Sequence, residues 1–555
     1  MVKKIICLVL VLIMAAGLLA ACSENNNNNG DETADTKESS RIPMTLSLWL
    51  PTDPGTTEEA IQLVSEAINK ITQAKYNTAI ELHLISRDKY QETIDEKLQA
   101  VKTANEEKAA AEEQRRRELR AQKQGGATAT ETEETEPPVE TTINEYGIHV
   151  TTYPTVPDTQ LDIFLVQGYE NYTNYAYSDL IQPIDTELSG SSKVISSYVY
   201  PTFIKAIYDF GTFGVPNNHP AGKYQYLLVN KSLVDEYDYN IRELSSLLRS
   251  KNFIIDIGNQ HLEDVVPLLG PVDASGMVYF SDHVGAEWSL ICAQLSDITT
   301  YKDQVVPTSL LDNNSYINTL KLVKELQSYG YVGDGTLKEG QRFAMGVIEG
   351  DEESIKAYED DYYISVYTKP MFTEEDIYGS MLSVCEYSKN VTRAMEIITC
   401  ITTDQELRTV LQYGVEGVHW DYEDPDKKDT IKVISDDYSM DINETGNVFM
   451  TYAGEGKTMD YWEQFKAHNR DTISDPFMKM PDYVNDNNRE DIEELLRLNE
   501  EFKARLDAVS YQDLNAEIKK MKQELAENEA FMRLLDEENE DSIVYQYVDW
   551  QETTY

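Results

Sequence analysis

Cysteine, basic residues and histidine are all scarce in this chain. Its 555 residues include 5 cysteines, and 48 Lys and Arg stand against 98 Asp and Glu, for a formal charge of −50 at pH 7. The shortage of cations argues against a nucleic-acid partner, because phosphate binding draws on clustered Lys and Arg. The basic run Arg115-Arg116-Arg117 sits among Glu112, Glu113 and Glu118, so it reads as a salt-bridged, solvated helix face. Apart from Cys7 and Cys22 near the start, Cys292, Cys385 and Cys400 remain, odd in number and without CxxC spacing. A chain that is 41% apolar can build a core without disulfides, so these three read as buried thiols, with one optional bridge as the alternative. The seven histidines (His83, His149, His219, His261, His283, His419 and His468) are scattered and form no HExxH, so no metal and no cofactor is expected. Catalytic signatures are equally thin. There is no G-x-S-x-G elbow, Gly456-Lys457-Thr458 lacks the leading glycine of a phosphate loop because Thr451 stands there, and Asp421 to Asp429 lacks the central glycine of a calcium loop.

Long apolar runs are rare too, which makes the first one informative. Lys3 and Lys4 precede an apolar stretch from Ile5 to Ala21, and Leu19-Ala20-Ala21-Cys22 resembles a lipobox. A basic start, a short apolar centre and small residues at the cut are the layout of a secretory signal. The run is barely long enough to span a bilayer, and no basic stop-transfer cluster follows it. Residues 1–21 are therefore expected to be a lipoprotein signal peptide, with Cys22 acylated as the membrane anchor. Residues 22–41, with five consecutive asparagines at Asn25 to Asn29, are too polar to offset their ordering entropy and read as a disordered tether.

Residues 42–555 carry the folded part. Met44 to Leu50 reads as a strand, Thr56 with Glu59 as a capping box, and Ile61, Val64, Ile68 and Ile71 as one helical face. Ala79 to Ile85 is a second strand, completing a βαβ unit with Trp49 and Asp53 at a carboxyl end, where ligands of open α/β sheets gather. Residues 88–142 read as an insertion, a long charged helix to Gln124 and then a low-complexity Thr/Glu tip. Residues 490–535 read as a helical hairpin, lined by Ile492, Leu495, Leu496, Phe502 and Leu506 and then by Leu514, Ile518, Met521 and Leu525, with Ser510 and Asp513 capping the second helix. Ile543 to Trp550 reads as an apolar strand or packing segment.

Further motifs fall in a recognisable order. Asp162-Ile163-Phe164 leads to Gly168-Tyr169-Glu170, followed by Leu180-Ile181-Gln182-Pro183-Ile184-Asp185, Gly214-Val215-Pro216-Asn217-Asn218, and Tyr226 to Leu233. Ser388-Lys389-Asn390 with Arg393-Ala394-Met395-Glu396 comes next, then a second capping box at Thr403-Asp404-Gln405-Glu406, and the loop Tyr413 to Trp420, in which Gly414 suits a helix C′ position. The series resembles bacterial extracellular solute-binding proteins of ABC importers, of the carbohydrate-binding, family 1-like sort, across most of residues 42–555. The resemblance implies a two-lobed α/β fold, periplasmic-binding-protein-like and type II-like, with a hinge between the lobes. It also implies a monomer that binds a sugar in the interlobe cleft and passes it to an ABC permease, working at the extracytoplasmic face of the membrane. The insertion and the charged C-terminal helices depart from the family pattern.

A sugar ring lays its C–H faces on aromatic rings and needs polar partners for its rim hydroxyls. Trp49, Tyr169, Trp288, Trp420 and Tyr452 are the candidate platforms, and Asp53, Glu170, Asn217, Asn218 and Glu416 the candidate rim partners. Trp462 and Trp550 are assigned to packing. Two other functions stay open: a secreted surface glycoside hydrolase, whose two carboxylates need proximity in space and not in sequence, and a binding protein for peptides or another non-sugar solute.

Overall fold

The computed structural model describes residues 42–554 apart from 125–140, 144–148, 201–202, 205–210, 273, 275–277, 280–287, 295–305, 459 and 473–483. The expected signal peptide, Cys22, the tether to Arg41 and most of the low-complexity tip lie outside the described residues.

The first lobe opens with the βαβ unit. Strand β1 (Met44–Thr52), helix α1 (Glu58–Tyr76) and strand β2 (Thr78–Ser86) follow one another, and the two strands pair in parallel from Met44↔Thr78 to Thr52↔Ser86. Val64, Ile68 and Ile71 are buried, as their spacing predicts. The cap is Thr57 and not Thr56: the Thr57 side chain accepts the Ala60 amide, while the Thr56 hydroxyl bonds to Thr52 and to the Ser439 carbonyl. The expected Thr56–Glu59 box is lost because a distant segment has claimed the hydroxyl.

Helix α2 (Arg87–Gln124) follows β2 directly. Its first turns are core and not insertion, since Tyr90, Ile94, Leu98 and Val101 are buried among the residues of the first lobe. From Glu106 to Glu118 it is exposed, and Arg116–Glu112 and Arg117–Glu113 pair one turn apart as the charge pattern predicts. Past the tip, Thr141–Ile143 and His149–Thr151 pair antiparallel.

Strand β3 (Ile163–Val166), helix α3 (Tyr169–Tyr177) and strand β4 (Val215–Pro216) extend the first lobe. The chain then leaves for a second sheet through β5 (Tyr224–Asn230), α4 (Lys251–Asn259), β6 (Val265–Leu269), α5 (Asn314–Ser328), β7 (Arg342–Gly350) and β8 (Tyr362–Thr368). It returns to the first lobe as β9 (Met381–Val384), α6 (Val391–Thr403) and α7 (Gln405–Tyr413). The sheets run β2-β1-β3-β9-β4 and β8-β5-β7-β6. Each packs its own apolar core, the first around Leu48, Phe164 and Ile398, the second around Leu227, Phe253 and Met345. Two sheets with separate cores, joined by chain crossings, make the two-lobed α/β fold that the resemblance implies. Asn390 caps α6 at its expected start. At α7, Asp404 caps alone by accepting the Leu407 amide, in place of the expected box.

The crossings are residues 217–223 and 369–380, and they lie side by side. A Cβ on Gly222 would stand 2.7 Å from the Met371 carbonyl oxygen and 3.0 Å from Cβ of Pro370, and the residue has φ +69°. Only glycine suits that backbone and that gap, so the hinge position is fixed by close approach.

Strands β10 (Trp420–Tyr422), β11 (Thr430–Val433) and β12 (Ala453–Gly454) form a small sheet, and α8 (Tyr461–Asp471) follows. The predicted hairpin forms as α9 (Arg489–Ala508) and α10 (Leu514–Glu527), succeeded by the short α11 (Glu529–Leu534). Of its predicted lining, Leu496 is exposed and the other eight residues are buried. The hairpin packs on Tyr316 and Ile317 of α5, whose Leu322 and Leu326 belong to the second lobe's core. Ser510 and Asp513 bond to each other in the turn, and no side-chain cap bond is made at α10. The closing segment is a helix, α12 (Ile543–Thr554), and not a strand, because Ile543 and Tyr547, one turn apart, bury one face in the hairpin's apolar cluster. Cys292, Cys385 and Cys400 are buried free thiols, and burial pushes Cys292 and Cys385 up to about 12, which keeps them protonated and inert. Among the described residues no helix is long and apolar enough to cross a membrane.

Candidate functional site

Strands β1 and β3 pair only at Leu48↔Ile163 and Trp49↔Phe164. Beyond that point they splay, and the Tyr90 hydroxyl of α2 fills the gap, accepting from the Leu165 amide at 2.9 Å and lying 3.1 Å from the Trp49 carbonyl. The chain leaves β1 toward β2 on one side, and β3 flanks it on the other. This is the topological switch point of the sheet, and a crevice outside the carboxyl ends of such strands is where open α/β sheets bind ligands.

Three polar side chains stand at those ends, each one residue past its strand: Asp53 after β1, Arg87 after β2 and Gln167 after β3. A loop after β11 adds Ser439 and Glu444. Arg87 donates Nη2 to Asp53 Oδ1 at 2.7 Å and Nη1 to Glu444 Oε1, bridging two carboxylates. Gln167 Nε2 donates to Glu444 Oε1 at 2.8 Å, and Ser439 Oγ to Asp53 Oδ2 at 3.0 Å. The Glu444 side chain is 8% exposed, and its Oε2 is buried with no hydrogen-bond partner among the described residues. Burial pushes the Glu444 carboxyl up, and Arg87 opposes that rise. Two carboxylates to one guanidinium leave the cluster with surplus acceptors.

The Glu444 loop is held from behind. Arg408 of α7, fully buried, donates Nε to the Asn447 carbonyl at 3.1 Å and Nη2 to the Ile442 carbonyl at 2.6 Å. One turn on, Gln412 donates to the Met440 carbonyl at 2.7 Å and accepts from the Thr445 hydroxyl. Burial lowers the Arg408 pKa to about 9, still cationic at neutral pH. Ser380, at the end of the second crossing, donates to the Asn443 carbonyl at 2.7 Å.

Of the residues expected from sequence, Asp53 lies in this cluster. Trp49 is three residues inside β1 and not at its end; its ring stacks on His83 at 4.1 Å. Tyr169 opens α3, edge-on to Tyr378 at 4.9 Å, with Glu170 exposed beside it. Asn217 and Asn218 are buried at the start of the first crossing, where Asn217 donates to Ser380 Oγ and Asn218 to the Tyr198 carbonyl. The Asn217 amide ties the first crossing to the second, and the Asn218 amide ties it to the first lobe. Trp288 is buried against the helical hairpin, with Nε1 on the Tyr316 hydroxyl at 3.2 Å.

Trp420 corrects a larger expectation. It is 4% exposed and not presented at a loop tip, and its Nε1 donates to the Gly414 carbonyl at 3.0 Å. Gly414, at φ +78°, ends α7 as expected, and the Val415 amide bonds to His419 Nδ1. That tight turn folds the Trp420 ring under the helix end. Tyr422 and Tyr452 pack on it at 5.2 and 6.1 Å, and Glu416 is exposed on the turn. Trp462 packs as expected, against Phe449 and Tyr461.

Arg87, Gln167, Ser439 and Glu444 were not anticipated. The strand-end rule that singles out Asp53 applies equally to Arg87 and Gln167. Ser439 and Glu444 lie in an irregular loop with no periodicity to mark them. Beside the first crossing, a cavity of about 600 Å³ is lined by Tyr198, Tyr200, Asn218, Phe449, Lys466 and Arg470 among others.

No protein-family model and no curated protein sequence matches the chain. Among solved structures the chain is similar to several solute-binding proteins. The N-glycan transport solute-binding protein of Streptococcus pneumoniae is 16% identical over 92% of this chain and 100% of its own, at TM-score 0.58. An extracellular solute-binding protein of Bifidobacterium longum subsp. infantis, 13% identical, covers 92% of this chain and 95% of its own at 0.42. A family 1 extracellular solute-binding protein of Alicyclobacillus acidocaldarius subsp. acidocaldarius, 10% identical, covers 90% of this chain and 100% of its own at 0.43. The first of these identifies the fold as that of a solute-binding protein.

Proposed function

We propose that this is an extracytoplasmic solute-binding protein that captures a sugar or oligosaccharide between its lobes and delivers it to an ABC permease. The observation that carries the reading is the Asp53–Arg87–Glu444 cluster at the switch point of the first sheet, where the Asp53 carboxylate is 30% exposed and open to ligand hydroxyls. The fold shared with an N-glycan transport solute-binding protein supports it. Tyr169 and Glu170, two and three residues past Gln167 in the first turn of α3, would serve the same edge as platform and rim partner. A solute touching both lobes stabilises the closed arrangement by its extra affinity for it, and the permease then receives the closed form. Capture and release are conformational, and no bond of the solute is broken.

A thermal-shift screen of the chain lacking residues 1–22, against mono- and oligosaccharides and against peptides, tests this. A glycan at one hundred times its Kd should add about 2.7 kcal/mol of stability and be recovered intact. Stabilisation by peptides alone would move the assignment to a peptide carrier, and shorter glycan products that track the protein through purification would make it a hydrolase.

The anchor is part of the same proposal. Diacylglycerol on Cys22 would hold the protein at the outer face, two acyl chains being needed because one binds only marginally. Cys22→Ser should therefore leave the protein unprocessed or release it into the soluble fraction. A mature-sized, membrane-bound variant on a fractionation blot would refute the lipid anchor.

A further inference from the structure

His468 lies on α8, and its side chain is 1% exposed. Its Nε2 is 3.1 Å from both the Ala221 and the Gly222 carbonyl oxygens of the first crossing. Its Nδ1 is 3.3 Å from Oε2 of Glu352, which follows β7 in the second lobe. Carbonyls can only accept, and an ionised carboxylate can only accept. A neutral imidazole carries one N–H and one lone pair, so it satisfies one side and turns a lone pair on the other; the imidazolium satisfies both.

The rest of α8 reinforces this grip. Asn469 accepts the Ala221 amide at 3.0 Å and donates to the His219 carbonyl at 2.7 Å. Asp471 accepts the Tyr224 hydroxyl at 3.0 Å and pairs with Lys369 of the second crossing. One helix thus holds both crossings, and His468 is the member whose bonding changes with protonation near neutral pH.

We propose that His468 is a pH-dependent latch on the hinge, its imidazolium tying α8 to the first crossing and to the second lobe, and its deprotonation releasing that tie. The groups that face it are Glu352 from the second lobe, the Tyr224 ring edge-on at 4.8 Å from β5, and Asp471 from its own helix. Lys369 offsets Asp471 from the second crossing, and His219 with Asp376 at 3.8 Å lies beyond Asn469. Burial works to expel the proton, but Glu352 and the two carbonyls outweigh it and hold the His468 pKa above the ordinary value of 6.5. A pKa raised in the folded state gives a contact that is complete below the ordinary value and is lost as pH rises through the raised one. α8 therefore grips the first crossing and the second lobe most tightly in mild acid and loosens toward alkaline pH.

The test follows the histidine itself in the chain lacking residues 1–22, with ¹³C-labelled imidazoles and His468→Gln to assign the resonance. His468 is expected to titrate above pH 6.5, and Glu352→Gln, at a side chain 37% exposed and so harmless to folding, should move that titration down. Amide exchange at Ala221 to Tyr224, corrected for its intrinsic pH dependence, should speed up as the wild type crosses the same pH. In His468→Gln it should be fast throughout. A His468 that titrates at or below 6.5, a titration that Glu352→Gln leaves in place, or exchange at the crossing that ignores the protonation step would each overturn the latch. If His468→Gln does not fold, the wild-type and Glu352→Gln titrations decide the matter alone.

Discussion

Arg87→Met is expected to abolish solute binding and to destabilise the first lobe by about 3 kcal/mol at neutral pH, the lower end for removing one partner of a buried ion pair. The lower end applies because Arg87 and Asp53 are 36% and 30% exposed and only Glu444, at 8%, is deeply buried. The loss comes chiefly from Glu444, whose carboxylate would keep a hydrogen bond from Gln167 but lose its charge partner. Burial already raises the Glu444 pKa and Arg87 restrains the rise, so removing Arg87 lifts it further. An acid with a raised folded-state pKa opposes folding above that value and ceases to do so as pH falls and it takes up a proton. The variant's deficit should therefore be largest near pH 7 and shrink toward pH 5, read as the difference in urea midpoints between variant and wild type. Glu444→Gln placed on Arg87→Met should recover most of the stability and none of the binding. Recovery of both would show that Glu444 only braces the fold.

The parts of the fold legible in the sequence are those whose apolar spacing is local. Val64, Ile68 and Ile71 on α1, and Leu514, Ile518, Met521 and Leu525 on α10, are buried on the faces their periods predict. Tertiary competition erased the finer marks. Thr56 gave its hydroxyl to Ser439, 383 residues away, and so ceased to be a cap. Tyr90, Ile94 and Leu98 were hidden in a helix whose later turns are so charged that the whole stretch reads as solvent-facing. The site divides in the same way. Asp53 is legible because it follows a strand, whereas Glu444 reaches the crevice on a loop shaped by Arg408 and Gln412 of another helix. The hinge was invisible as well. Gly222 is fixed by the approach of Met371, and nothing in its neighbours along the chain marks that contact.

Trp420→Ala is expected to destabilise the unit built around α7 by about 3–5 kcal/mol, the range for deleting a large buried ring. The ring is packed by Tyr422 and Tyr452, and its N–H satisfies the Gly414 carbonyl that ends α7, so the deletion opens a cavity and orphans an acceptor together. Trp420→Phe retains much of the volume and loses the N–H, and should cost about 1–2 kcal/mol, mostly for the unpaired carbonyl. A ring presented to ligand behaves otherwise: its truncation would take about 1–3 kcal/mol from affinity and leave the unfolding midpoint in place. The two outcomes separate on one preparation, by calorimetric titration with the best glycan from the screen and a urea curve. With the ring 4% exposed, the urea curve should move and the affinity of the surviving folded fraction should stay near wild type. An unmoved midpoint with affinity reduced about tenfold, equivalent to about 1.4 kcal/mol, would return Trp420 to the binding surface and bring the exposed Glu416 beside it.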